Sequence, residues 1–260
     1  MPADLPIAVF PLHDPSGVLL AHLQRITPDL KELFCRAYVT VSPPTDLAQG
    51  AAVGSLARDG FFELIHNPPG SQVGDHIFAG YRRAVEGSWP GAQLHLCFED
   101  RLIFALSTEH REAFRRDIAA AGGERRPILF QRSAYAWDTH PRTYRAIEAM
   151  ATRAGEVLFG RSLDFAWCHL ALRAGDLAPI LPRLAGLRDL SLLAEIVVAL
   201  AGTIVTRDVD WLAWEDPFIH GLDPEQARAA AERDPADHEK RLAYVGSMVR
   251  LLLARFGAGA

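Results

Sequence analysis

The chain has 260 residues, of which 49% are hydrophobic and 23% are charged, and its formal net charge is −5. These values are typical of a globular protein that is long enough for one large α/β domain or two small ones. Nucleic-acid binding needs a basic face that neutralises phosphates, so we expect no nucleic-acid partner. A local basic pocket for a small phosphate-bearing ligand remains compatible with this charge.

The chain contains three cysteines, Cys35, Cys97 and Cys168. They lie far apart in apolar segments, and this spacing forms neither a disulfide framework nor a zinc motif, which predicts reduced and buried thiols. The N-terminal residues show no basic segment followed by an apolar run. The longest weakly polar run, residues 187–205, contains three charged residues and is too polar to span a bilayer. We therefore expect a cytoplasmic protein without an integral membrane segment.

Strand and helix patterns alternate through the first half of the chain. The predicted strands are residues 7–12, 37–42, 61–66 and 94–106. The predicted helices are residues 18–24, with a continuation at 30–34 after a break at Pro28, then 45–58 and 75–85. Parallel strands cannot be joined by a tight hairpin, so strands separated by helices indicate right-handed crossovers. The first half therefore predicts an α/β layer of the nucleotide-binding type.

The second half continues the alternation and ends in helices. Strands are predicted at 128–137, 165–172 and 204–211, and helices at 108–121, 144–158, 190–200, 225–233 and 240–256. The run 190–200 could be a buried strand, but its Ala and Leu content and Gly202 after it favour a helix. We predict an α/β fold with a mostly parallel central sheet flanked by helices, followed by C-terminal helices.

The predicted strand at 94–106 contains three adjacent charges, Glu99, Asp100 and Arg101. Open α/β sheets bind ligands at the carboxyl ends of their strands, which makes this stretch the first candidate site. Adjacent residues of a strand point to opposite faces, so only one carboxylate is expected to face the cleft. Asp100 is then the candidate for a metal or ribose contact, and a surface carboxylate paired with Arg101 is an equal alternative.

Arginines and carboxylates elsewhere supply further candidates. Arg82 and Arg83 follow three glycines and suit a pyrophosphate, although the glycine spacing matches no phosphate-binding motif and a solvated helix face explains them equally well. Glu195 lies in a strongly apolar run, where a carboxylate is either used or paired with a core partner. The remaining candidates, in loop segments where capping or rim roles are the alternative, are Arg132, Asp138, His140, Glu215 and Asp216.

The order of these segments resembles the GT-A type of nucleotide-sugar-dependent glycosyltransferase. More narrowly, it is similar to a prokaryotic group of GT-A-like proteins marked by an Asp-x-Asp-Arg strand end. The similarity spans roughly residues 7 to 220 and rests on 11–17, 80–84, Phe98-Glu99-Asp100-Arg101, Arg132, 139–141, Glu195 and 214–215. It implies a GT-A-like domain at 1–221, with a nucleotide-binding half at 1–107 and an acceptor-side half at 108–221, and a helical extension at 222–260.

The resemblance also implies roles for individual residues. Asp14 would hold the base or ribose, Arg82 or Arg83 the diphosphate, and Asp100 a divalent cation (Mn²⁺ or Mg²⁺) or sugar hydroxyls. Glu195 or Glu215 would orient the acceptor hydroxyl or take its proton. The donor would also be contacted by Arg101, Arg132 and His140.

Two positions depart from the group's pattern. Phe98 replaces the first Asp of the motif, so a two-carboxylate metal site would rest on Asp100 with Glu99 as an imperfect substitute. Leu193 stands where an acidic residue is expected ahead of Glu195. The leading hypothesis is transfer of a sugar from a nucleotide diphosphate donor, with a homodimer through the C-terminal helix as a further expectation. A catalytically degenerate binding or partner subunit is the alternative, and a nucleotidyltransferase ranks below both because no glycine-rich basic loop follows the first strand.

Overall fold

A computed structural model describes residues 5–258 and shows one central sheet with helices on both faces. The strands are β1 (Ile7–Leu12), β2 (Arg36–Val41), β3 (Phe62–His66), β4 (Gln93–Cys97), β5 (Ile128–Arg132), β6 (His169–Arg173) and β7 (Val205–Val209). The helices are α1 (Val18–Leu33), α2 (Pro43–Leu56), α3 (Val73–Glu86), α4 (Glu99–Ser107), α5 (Arg111–Gly123), α6 (Ala134–Thr139), α7 (Arg142–Phe159), α8 (Ala174–Leu177), α9 (Leu181–Leu184), α10 (Ser191–Leu200), α11 (Asp216–His220), α12 (Pro224–Ala231) and α13 (Pro235–Ala258).

The sheet has the strand order β3-β2-β1-β4-β6-β5-β7. Neighbouring strands are parallel except at β6, which runs antiparallel to both β4 and β5. The prediction of a mostly parallel sheet flanked by helices is therefore confirmed. Because β6 is reversed, its first residues lie at the same edge of the sheet as the carboxyl ends of β1, β4 and β5.

Both faces of the sheet are buried, as the apolar runs of the central strands predict. On one face, Phe10 of β1 packs with residues of α1, α4 and α5. On the other face, Val9 of β1 and Leu94 of β4 pack with residues of α3, α10 and α13. Alternate residues of one strand thus enter two separate cores.

The stretch 94–106 was predicted as one strand, and that prediction is wrong beyond Cys97. Phe98 is extended, and a helix begins at Glu99, where two carboxylates in the first turn interact favourably with the helix dipole. The apolar residues that follow, Leu102, Ile103 and Leu106, have helical spacing and are fully buried. A short apolar run does not distinguish a strand from a buried helix, which explains the error.

Several further boundaries differ from the predictions, and three of them have a clear reason or bear on the site. Helix α1 continues through Pro28, because its buried face of Leu20, Leu23, Ile26 and Leu30 outweighs the hydrogen bond that proline cannot make. The predicted strand at 128–137 ends at Arg132, where Ser133 caps α6 by accepting a hydrogen bond from the Ala136 N–H at 3.1 Å. The strand predicted at 165–172 begins only at His169.

The last helix, α13, packs against α7 and α10. Its residues Val245, Met248 and Leu252 are fully buried in the core beneath the sheet. The division of the chain at residue 222 stays a prediction, and the structure joins this helix to the main core. No helix among the described residues is both long and apolar enough to cross a membrane.

Candidate functional site

A cavity of about 1020 Å³ opens at the carboxyl ends of β1, β2, β4 and β5. One side of it is formed by residues that follow β1 and β2, including His13 and Ser42, and by the start of α3. Its centre is formed by residues 98–101, and its other side by Arg132, by residues 166–168 before β6 and by α13. The sheet edge and the last helix thus enclose one shared space, where ligands bind in open α/β sheets.

Two carboxylates lie in the centre of this cavity. Glu99 and Asp100 occupy the first turn of α4, so both line the cavity, although a strand would have separated them. The Arg101 N–H donates to Asp100 Oδ1 at 2.7 Å, and the His13 N–H donates to Glu99 Oε1 at 3.3 Å. Burial, and then the neighbouring Asp100, raise the pKa of Glu99 to about 8. Burial also raises the pKa of Asp100, against the opposing effect of Arg101.

Arg101, which is partly buried, forms an ion pair with the buried Glu215 beside these carboxylates. The Arg101 guanidinium also donates to the backbone oxygen of Ala213 at 3.1 Å, which fixes it to the segment before α11. That segment is held in place because the Trp214 N–H donates to the Thr139 hydroxyl at 2.8 Å. This part of the cavity therefore holds four carboxyl groups, from Glu99, Asp100, Glu215 and Asp216, and the guanidinium of Arg101.

Arg132 anchors a second charged network on the far side. It donates to Asp164 at 2.8 Å and to Glu148 at 2.5 Å, and its guanidinium lies 3.8 Å from the centroid of the Trp137 ring. Arg241 of α13 donates to the other oxygen of Glu148 at 2.8 Å. Burial raises the pKa of Glu148, but the two arginines outweigh it, and the pKa lies below its ordinary value. The buried carboxylate thus couples the last helix to the cavity wall.

Three residues predicted to bind the donor lie outside the cavity. Asp14 is buried beside the first turn of α1, where its carboxylate accepts from the Leu20 N–H at 2.7 Å and from the Ser16 hydroxyl at 2.8 Å. Arg82 and Arg83 lie on a half-exposed face of α3 and pair with Glu86 and Glu63. The reading of the two arginines as a solvated helix face agrees with this placement.

His140 and Glu195 also lie away from the cavity. The His140 ring is 2% exposed, and its Nδ1 lies 2.8 Å from the Ala136 oxygen. Burial lowers the pKa of His140 well below its usual range, and Arg132 adds to this effect. Glu195 is 0% exposed and pairs with Arg183 and Arg255. Glu195 is therefore paired with partners in the core, which is the alternative to a catalytic role.

Neither a protein-family model nor a curated protein matches the sequence. Among solved structures, glucosyl-3-phosphoglycerate synthase from Mycobacterium tuberculosis with Mn²⁺, UDP-glucose and phosphoglyceric acid matches over 98% of this chain and 80% of that chain, with a TM-score of 0.55 and 12% identity. Its UDP complex matches with a TM-score of 0.54 and 13% identity over the same shares. A mycobacterial protein matches over 93% of this chain and 76% of that chain, with a TM-score of 0.52 and 14% identity. The chain has the GT-A fold. At this low identity, the structural similarity shows the fold alone, and the reaction has to be argued from the site.

Within this GT-A fold, sequence reasoning missed several residues that line the cavity. His13 and Ser42 stand directly after β1 and β2, and the strand ends themselves could have indicated them. His76 in α3 and Arg241 in α13 reach the cavity only through tertiary packing. No local pattern distinguishes them from other polar residues of a helix.

A second cluster, formed by His95, Cys97 and His169, lies in the core behind the cavity of the GT-A fold. Its ligand atoms lie within 4.8 Å of one another, and His95 Nε2 is 2.8 Å from His169 Nδ1. Nitrogen and sulfur ligands suit zinc or copper rather than the hard cations Mn²⁺ and Mg²⁺. The two imidazoles are neutral partners of each other, because burial lowers the pKa of His95 to about 3 and that of His169 well below its usual range.

Proposed function

We propose that the chain is a glycosyltransferase that moves a sugar from a nucleoside diphosphate donor to the hydroxyl of an acceptor. The observation that carries the proposal is the meeting of Asp100, Arg101 and Glu215 in one cavity at the carboxyl edge of a GT-A sheet. Solved structures with this fold contain UDP-glucose, which supports a nucleotide-sugar as the donor class.

Asp100, together with Glu99, would hold a divalent cation or the sugar hydroxyls. Two hard oxygen donors on one helical turn fit Mn²⁺ or Mg²⁺, and burial raises the pKa of both carboxyls, a cost that a bound cation would offset. Phe98 offers no metal ligand, so Glu99 and Asp100 in the first turn of α4 would have to supply both carboxylates, in place of the two Asp of the Asp-x-Asp-Arg pattern. A bound cation would supply charge neutralisation at the diphosphate.

Glu215 is the proposed base. Glu215 lines the cavity, is 4% exposed and forms an ion pair with Arg101. In this role it would accept the proton of the acceptor hydroxyl as that oxygen bonds to the sugar carbon, while the nucleoside diphosphate leaves. Glu195, Asp14, Arg82, Arg83 and His140 are not assigned roles at the reacting atoms, because all five lie outside the cavity. Arg132 is kept as a wall residue.

Calorimetry with a panel of UDP-, GDP- and ADP-sugars, with and without Mn²⁺, tests the proposal. At least one donor is expected to bind with a Kd in the millimolar range or tighter. Asp100→Asn is expected to weaken that binding, and Glu225→Gln on the exposed α12 serves as a matched control. Absence of binding across the panel would reject the proposed function.

A binding subunit without transferase activity is a second candidate. The side chains of Phe98 and Leu193 both line the cavity, at positions where the resemblance expects carboxylates. Under this alternative a donor binds but is neither transferred nor hydrolysed, and Glu215→Gln leaves binding and cellular function unchanged. Turnover that depends on Glu215 would exclude it.

We also propose a cellular compartment and an oligomeric state for the protein. No disulfide joins the cysteines within residues 5–258, which is compatible with the cytoplasm as the compartment. A homodimer through α13 is proposed because this helix exposes Leu242, Leu253 and Phe256. Light scattering at several protein concentrations, with Leu253→Glu as the disrupting variant, would test the homodimer.

A further inference from the structure

The donor side of the cavity contains a histidine with an unused nitrogen. His76 lies in the first turns of α3, lines the cavity and is 8% exposed. Its Nδ1 has no hydrogen-bond partner within residues 5–258. Buried polar atoms are usually hydrogen-bonded in folded proteins, so an unpaired nitrogen on a residue that lines a cavity is available to a ligand atom.

His13 lies on the opposite side of the same space. It follows β1, and its Nδ1 is 2.9 Å from the Ser42 hydroxyl, which is itself 2.8 Å from the Thr45 hydroxyl. This chain of hydrogen bonds fixes the ring and leaves Nε2 without a partner in the described part of the protein. Both residues line the same cavity, His13 from the segment after β1 and His76 from α3.

Helix α3 begins at the edge of the cavity. It has 14 residues, and the side chain of Val73, its first residue, lines the cavity. The N-terminus of such a helix carries a partial positive charge and attracts phosphate oxygens. The one carboxylate in its first turn, Asp75, accepts from the Arg188 guanidinium at 2.9 Å, which offsets its repulsion of an anion.

We propose that His13 and His76 bind the diphosphate of the donor at the N-terminus of α3, in place of Arg82 and Arg83. This inference rests on the proposed function and specifies its diphosphate subsite. Each imidazole donates one N–H to a phosphate oxygen, and the first turn of α3 adds its dipole. The two arginines remain on the outer surface of α3, paired with Glu86 and Glu63.

Calorimetry on the full chain tests the subsite with UDP, GDP, ADP and inorganic pyrophosphate as probes. The double variant His13→Ala/His76→Leu is expected to weaken binding of pyrophosphate and of the preferred nucleotide by about tenfold or more. Arg82→Ala/Arg83→Ala is the matched control and is expected to bind within about twofold of the parent. His76→Gln, which restores an N–H donor, is expected to recover part of the loss.

Because a buried substitution at residue 76 can impair folding, His13→Ala alone provides a second readout at an exposed position. It is expected to weaken pyrophosphate binding by about threefold or more. If the parent binds nucleotides but neither His13→Ala nor the double variant weakens them, the subsite is wrong and the proposed function stands. If the parent binds none of the four probes, both proposals fail.

Discussion

Arg255, near the end of the last helix, donates from its Nε to Oε2 of Glu195 at a distance of 2.7 Å. Arg183 binds the other oxygen of the same carboxylate. A carboxylate with no exposure and two guanidinium partners joins α9, α10 and α13. Its environment is that of a structural tie, since both oxygens are occupied away from the cavity.

Glu195→Ala is therefore expected to lower the free energy of unfolding by about 1–3 kcal/mol, because two hydrogen-bonded arginines lose their shared acceptor. Urea denaturation measures this change. Activity per folded molecule is expected to remain at the parent level. Loss of activity at unchanged stability would instead place Glu195 in the reaction.

Glu215→Gln is expected to show the opposite behaviour. Removal of a general base lowers kcat by about 10²- to 10⁴-fold, while donor binding stays close to the parent value. Single-turnover transfer from the donor identified by calorimetry measures the effect, and Glu225→Gln on α12 is the control. Normal transfer by Glu215→Gln would remove this residue from the proposed mechanism.

Glu99 is expected to make stability fall as the pH rises. Its folded pKa of about 8 lies above the ordinary value of 4.5, so the folded state binds more protons than the unfolded state between these values. Stability attributable to this group is present below pH 4.5 and is lost as the pH rises through about 8, by at most about 1.4 kcal/mol per pH unit. Urea denaturation at several pH values should show the slope in the parent and a flatter profile in Glu99→Gln. Equal slopes in both proteins would contradict the raised pKa.

His95 and His169 are expected to make stability fall as the pH is lowered. Both have folded pKa values below the ordinary 6.5, and that of His95 is about 3, so the unfolded state binds more protons in acid. Their contribution is present above pH 6.5 and is lost as the pH falls from 6.5 toward 3. Acid unfolding of His95→Gln should be less steep than that of the parent by up to one proton. An unchanged profile would mean that His95 is protonated in the folded state.

The fold was largely predictable because long apolar runs and helical periodicity mark the elements that fill the two cores. The predictions were wrong where a short apolar run fits both a buried strand and a buried helix, as in the run after Glu99, which forms a helix. The predicted helix break at Pro28 was wrong for a different reason, because the tertiary packing of α1 overrides a local helix breaker.

The site was predictable in its centre and not in its periphery. Asp100 and Arg101 stand in the helical turn that follows β4, and Arg132 is the last residue of β5, so the strand ends bring these three to the cavity that Glu215 also lines. Glu195 was not assignable from its neighbours, since its partners lie 12 and 60 residues away. His76 depends likewise on how α3 packs against the sheet, which no local pattern reveals.

The central claim is that the cavity between the carboxyl edge of the sheet and α13 binds a nucleoside diphosphate. A crystal of the full chain soaked with the tightest-binding nucleoside diphosphate and Mn²⁺ tests it most directly. The account predicts electron density for the diphosphate beside Asp100, between His13 and His76. Density on the outer face of α3, beside Arg82 and Arg83, would contradict it.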